Sequence, residues 1–350
     1  MERGNIMHRR IESAMTMMTD PRHFKLRLFI EGNIIGIATG MVIALFRYLL
    51  ELSEEYLPVL YRWLPEHIAW IPVWFLLLAI CGWVLYRIVR RDGMTSGSGI
   101  PQIKGILLGE MDMNWARVLI LKFTGAVLGI GAGMSLGREG PSVQLGACLG
   151  QGLGRLTHRS YAESHYLLTA GAGAGLAAAF NAPLAGVIFC LEELTKNFSA
   201  FVLMGAISAA VTATTVTQYF FGMQPVFHMG VVPVIDTGHM YILLIVLGAF
   251  VGLLGLAFNP MLTRSQDFYK KMPARYRPLV PLFCAGVLGF LLPEILGGGS
   301  RLVDSLVVTD YTLAFLALLL LAKFLFTMIC FGSGVPGGIF LPMLVLGSVG

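Results

Sequence analysis

With 350 residues, 56% hydrophobic and 13% charged, the chain is too apolar for a soluble globular protein, where charged residues run at roughly a quarter. The formal charge of +5 fits basic cytoplasmic loops better than a nucleic-acid partner. The five cysteines stand singly in apolar stretches and the seven histidines form no HExxH pattern, so neither a disulfide framework, a metal centre nor a cofactor is expected.

In chain order, a tail over residues 1–24 leads the sequence, and Arg3, Arg9, Arg10, Arg22, Lys25 and Arg27 cluster in and just after it. The first apolar span, 26–50, starts too late and runs too long for a cleavable signal peptide. It is followed by Glu51, Glu54, Glu55 and Glu66, whereas the second span, 69–89, runs into Arg87, Arg90 and Arg91. The positive-inside bias puts the tail and the 87–92 loop in the cytoplasm and the acidic loop outside.

Gly97-Ser98-Gly99-Ile100-Pro101 comes next. Glycine permits close backbone approach, proline suits a first helical turn and Ser98 offers a hydroxyl. That pattern predicts an anion-receiving helix start or, more plainly, a serine-capped loop. After a span at 115–134, Gly137-Arg138-Glu139-Gly140-Pro141 sets an acid at membrane depth, which costs on the order of 2.5–3.5 kcal/mol on insertion scales. A helix N-terminus carries a partial positive charge of about half a unit, which attracts a carboxylate and an inorganic anion alike. Glu139 and an anion then compete for one place; the plainer alternative is a structural ion pair with Arg138 or Lys122.

Spans at 164–180, 182–195 and 202–221 follow, the second closing on Glu192-Glu193. Further spans fall at 239–262, 278–296 and 311–331, with a basic loop, Arg264 to Arg277, assigned to the cytoplasm. The segment from Gly334 to Pro342 has no charged side chain. A ligand there is held by main-chain N–H groups, chiefly those of Ile339 and Phe340, which selects an anion. Uncharged runs such as Asn197 to Ile235 and Phe324 to Gly350 exceed the roughly 20 residues of a spanning helix. Without period-2 alternation, helices are expected rather than a barrel.

Lys122 matches Lys323, Phe123 matches Phe324, Gly131 matches Gly332, Gly137 matches Gly338 and Pro141 matches Pro342, each pair 201 residues apart. A gapless repeat with interrupted hydrophobic segments in matching places points to a transporter whose ligand sits near the bilayer midplane. The repeats are assigned to 25–225 and 226–350. Two enzyme-like patterns carry less. Gly133 to Gly137 satisfies GxSxG around Ser135 but lacks the strand that precedes a hydrolase elbow. Gly173 to Ala178 fits GxGxxA inside an uncharged run, where helix packing through small residues accounts for it.

GSGIP at 97–101, GREGP at 137–141 and GGIFLP at 337–342, in that order and spacing, resemble the signature loops of the CLC family of chloride channels and proton/chloride exchangers. The resemblance extends over nearly all of the chain from Lys25 to Gly350 and includes Asn181 to Gly186 (NAPLAG). It implies an all-α, inverted-repeat membrane fold with broken helices meeting near the bilayer midplane. Ser98 and the N–H groups of Ile339 and Phe340, with Gly99 and Gly140 beside them, would hold chloride. Glu139 would be the gating glutamate, and Glu193 the internal proton-transfer glutamate that marks exchangers; a serine at position 98 favours chloride over nitrate. A homodimer in the inner (plasma) membrane is implied too. The family continues with further helices, one bearing a tyrosine chloride ligand, so a chain stopping at Gly350 is expected to be a fragment, truncated in its second repeat. The expected function is chloride/proton antiport, with a passive chloride channel as the alternative and an intramembrane serine hydrolase at Ser135 as a remote one.

Overall fold

A computed structural model describes residues 21–196, 198–223 and 238–350. Arg3, Arg9, Arg10 and the assigned repeat boundary at 225/226 lie outside the described residues. The helices in chain order are α1 Pro21–Trp63, α2 Ile71–Arg91, α3 Ile100–Leu108, α4 Trp115–Gly131, α5 Glu139–Leu156, α6 Tyr161–Phe180, α7 Pro183–Phe189, α8 Ala200–Phe221, α9 Gly238–Lys271, α10 Leu279–Leu291, α11 Ser300–Val308, α12 Leu313–Gly332 and α13 Phe340–Val349. A π-helical turn, Cys190–Thr195, continues α7. Phe24–Arg91, Ala200–Phe221, Tyr241–Lys271 and Leu313–Gly332 are long and apolar enough to cross a membrane.

The sequence expectation is met for most elements and corrected at two helix ends. The first helix does not stop near Leu50: it runs on to Trp63, so Glu51, Glu54 and Glu55 ride on a helix rather than in a loop. Leu50, Leu57, Tyr61 and Leu64 are buried at helical spacing, and this apolar stripe outweighs the glutamates between its members. Similarly, α9 continues through the first part of the basic segment as far as Lys271.

Packing divides the chain into two interleaved units. One holds the described residues of Met1–Tyr48, Ser98–Thr124 and Glu139–Val226; the other holds those of Leu49–Gly97, Gly125–Arg138 and Phe227–Gly350. In the first unit, α5 and α6 approach through glycines: a Cβ on Gly146 or Gly150 would run into the carbonyls of Gly171 or Leu167, and one on Gly171 or Gly175 into those of Gly146 or Ser142. Lipid is as apolar as leucine, so such small-residue contacts decide helix association where hydrophobicity cannot. The glycines of the GxGxxA pattern therefore serve packing. Ser160 and Glu163 form a capping box at the start of α6, fixing where that helix begins.

In the second unit, Phe258 of α9 packs with Phe324 and Met328 of α12 and Leu346 of α13. The Ser265 hydroxyl donates to the Met328 carbonyl at 2.7 Å. The outer face of α9, including Ile242, Ile245, Leu253 and Leu256, is exposed. An apolar face of that extent suits lipid rather than water.

The repeat is visible as matched elements. Single turns at Gly93–Thr95 and Pro293–Ile295 precede α3 and α11, which are nine residues each. Gly97 and Gly99 have φ of 61° and 91°, and Gly297 and Gly299 have 65° and 97°. The element α11 is absent from the sequence reading and is supplied by this register. Within the second unit the two repeat-related turns pair: Gly137 N–H donates to Gly338 O and Gly338 N–H to Gly137 O, both at 2.7 Å. Reciprocal bonds between equivalent residues are what a local two-fold relation produces.

Candidate functional site

Three helices begin where the sequence places ligand-facing turns. In the first unit, α3 opens at Ile100 behind Gly99, and the Ile100 N–H reaches the Ser98 hydroxyl oxygen at 3.4 Å. Ser98 thus behaves as a helix-start serine. A hydroxyl that accepts one bond keeps its own proton to donate. The same loop meets the start of α5. A methyl placed on Gly140 would lie 2.8 Å from Ser98 Cβ and 2.9 Å from its carbonyl oxygen. A Cβ on Gly99 would lie closer still to the Gln144 side chain, 2.2 Å from its Oε1. Only glycine permits this approach, and it brings Ser98 against the turn that carries Glu139.

Glu139 is the first residue of α5 and is 3% exposed. Its carboxylate therefore sits at the positive end of an 18-residue helix, where an anion is stabilised. Lys122 in the same unit is fully buried. Arg138, which belongs to the second unit, extends to Glu51 of the same unit with Nη1 3.6 Å from Oε1.

In the second unit, α13 opens at Phe340 with Ile339 as its cap residue. The turn before it is held by the Gly137/Gly338 bridge. A Cβ on Gly337 would strike Leu136 at 2.7 Å, so this turn also depends on glycine for close backbone contact. Lys323, fully buried, donates to the carbonyls of Ile295 and Gly297, each at 2.9 Å. Ser135 is buried, and its hydroxyl meets that of Thr327 at 2.9 Å. Threonine is no general base, so this geometry gives the GxSxG match no activated nucleophile.

Glu193 lies on the π turn after α7, with its side chain about half exposed, in an ion pair with Lys104 of α3. Lys104 holds its carboxyl below the ordinary carboxylate range, first by hydrogen bonding and then by charge, with a smaller contribution from Lys196. Sequence reasoning misses Lys104, a lone lysine outside any motif. It also misses a cavity of about 240 Å³ in the second unit lined by Glu54, Arg301 and Tyr311.

Comparison with known proteins adds the family. The family described as voltage gated chloride channel matches residues 76–350. An H(+)/Cl(-) exchange transporter of Vibrio cholerae serotype O1 is 36% identical over 332 residues, covering 90% of this chain and 70% of that protein. Its counterpart in Citrobacter koseri is 33% identical over 360 residues, covering all of this chain and 74% of that protein. Among solved structures, a slow cyanobacterial Cl−/H+ antiporter superposes with a TM-score of 0.84 at 30% identity, over 91% of this chain and 77% of the other. A CLC-type fluoride/proton antiporter does so with 0.77 at 25%, over 93% and 80%.

Proposed function

The chain belongs to the voltage-gated chloride channel family, and from that premise we propose that it is a secondary active transporter exchanging chloride for protons, with Glu139 as its gate. The observation that carries the reading is Glu139 itself, buried at a helix start whose next residue backs onto Ser98. A carboxylate held by a helix dipole occupies the place an anion would take. Chloride arriving there raises the tendency of Glu139 to accept a proton, because two negative charges exclude one another. The protonated side chain no longer competes, and the two ions become linked.

Ser98 and the N–H groups of Ile339 and Phe340 are the proposed chloride ligands, with Gly99 and Gly140 admitting the ion to the backbone. Partial dipoles without a full positive charge strip water from a halide yet let it leave. Glu193 is the second proton station. The relatives named as exchange transporters favour an exchanger over a channel, and transport over an enzymatic role for Ser135. A homodimer in the inner membrane with the N-terminus in the cytoplasm completes the proposal.

The experiment is a flux assay in liposomes. A chloride gradient drives proton movement through the wild type, whereas Glu139→Gln passes chloride without moving protons. Coupled proton movement retained in the variant removes Glu139 from the mechanism. Fluoride in place of chloride tests the alternative halide named for one solved relative.

A further inference from the structure

We propose that Lys104 is a positioning residue that holds the Glu193 carboxylate against α3 and controls its proton loading. The proposal rests on the reading of Glu193 as a proton station. Its geometric basis is the ion pair between Lys104 Nζ and Glu193 Oε1, which joins residues 89 positions apart in the chain. The residue that receives it lies in a π turn, a rare distortion that re-aims side chains and clusters at functional sites.

The helix involved is the same one that starts at the Ser98 loop. Ile100 to Lys104 is four residues, so the ammonium-bearing residue stands roughly 6 Å along the axis from the helix start. One nine-residue element therefore touches the proposed chloride loop at its end and the proposed proton station on its flank.

Among the described residues, few charges surround Glu193. Glu192 and Lys196 flank it in sequence, and Lys196 closes the π turn with φ of 50°. On α6, His165 reaches back to its own turn at Tyr161 O and across to Ile106 O, and Glu163 pairs with Arg27. Among these described groups the ion-pair partner of Glu193 is Lys104. At this half-exposed site the pair adds little to stability. Its effect is on protonation: Lys104 favours the ionised carboxylate, so Glu193 takes up a proton less readily than it would without that neighbour.

The test compares wild type, Lys104→Met, Lys104→Arg and Glu193→Gln in liposomes, reading proton and chloride flux against the pH on the Glu193 side. Lys104→Met is expected to move the midpoint of proton flux up by a few tenths to about one pH unit, and Lys104→Arg to restore the wild-type profile. Raising inert salt should shift the wild-type midpoint the same way by screening and move Lys104→Met much less, since only the smaller Lys196 contribution remains there; the wild-type arm stands even if a variant folds poorly. Coincident profiles for wild type and Lys104→Met, or no salt effect on the wild type, overturn the role of Lys104 while Glu193→Gln still abolishes proton flux. Proton flux retained in Glu193→Gln overturns the underlying reading of Glu193 instead.

Discussion

Gly140→Ala tests whether contact between two helix starts builds the chloride site. The added methyl lies 2.8 Å from Ser98 Cβ and 3.0 Å from its Cα, against an ordinary contact of 3.4 Å or more, so the two residues must part by about 0.6 Å. The Ser98 loop yields with difficulty, since Gly97 and Gly99 on either side have φ of 61° and 91°. Overpacking of this kind costs about 1–3 kcal/mol of stability. A hydrogen bond to a charged group contributes about 1.5–3 kcal/mol, and losing about 1 kcal/mol of it to misplacement weakens chloride binding roughly five-fold. The assay is the chloride dependence of flux, with thermal unfolding in detergent alongside. Gly252→Ala is the control: its Cβ meets nothing within 4 Å, and it lies within α9, so it should leave the chloride curve in place and raise helix stability by at most about 1 kcal/mol. A Gly140→Ala protein whose chloride curve and melting temperature both match the wild type refutes the reasoning.

Gly171→Val should lower the melting temperature, because its Cβ already collides with the Gly146 carbonyl. Combining Gly171→Ala with Gly146→Ala should cost less than the sum of the two, since one displacement of α5 from α6 relieves both; strict additivity in thermal melts speaks against a shared interface. Lys323→Met removes both 2.9 Å donations to Ile295 and Gly297 and leaves two buried carbonyls, at about 1–3 kcal/mol each. An unchanged melting temperature for that variant shows that the 295–299 turn does not need the lysine.

Hydropathy exposed the long helices because a lipid-facing surface must be apolar all along its length, and Gly-Pro punctuation exposed the three helix starts because a backbone that breaks needs residues that allow it. The helix α11 escaped for the opposite reason. Ser300 to Val308 contains Arg301, Asp304 and Ser305 and buries only Leu302 and Val303, so neither length nor apolarity marks it. Its register with α3 was the available signal. The interleaving of the two units left no local trace, because the boundaries at Tyr48/Leu49 and Thr124/Gly125 fall inside unbroken helices. Lys104 was illegible for a third reason: its meaning lies in Glu193, and nothing in a nine-residue apolar helix announces a partner 89 positions away.

The repeat also separates scaffold from chemistry. In the 201-residue register Gly137 falls on Gly338, and these two positions bond to each other; the glycines that shape the turns are kept in both copies. The next positions differ: Arg138 falls on Ile339 and Glu139 on Phe340. In the register of α3 and α11, 200 residues, Ser98 falls on Gly298 while Gly97 and Gly99 keep glycine partners with like φ. Backbone geometry is thus duplicated, but the hydroxyl and the acid occur in the first copy alone. A main-chain turn without a charged side chain can hold an anion but cannot exchange a proton at neutral pH. Both carboxylates proposed to carry protons, Glu139 and Glu193, accordingly fall in the first copy.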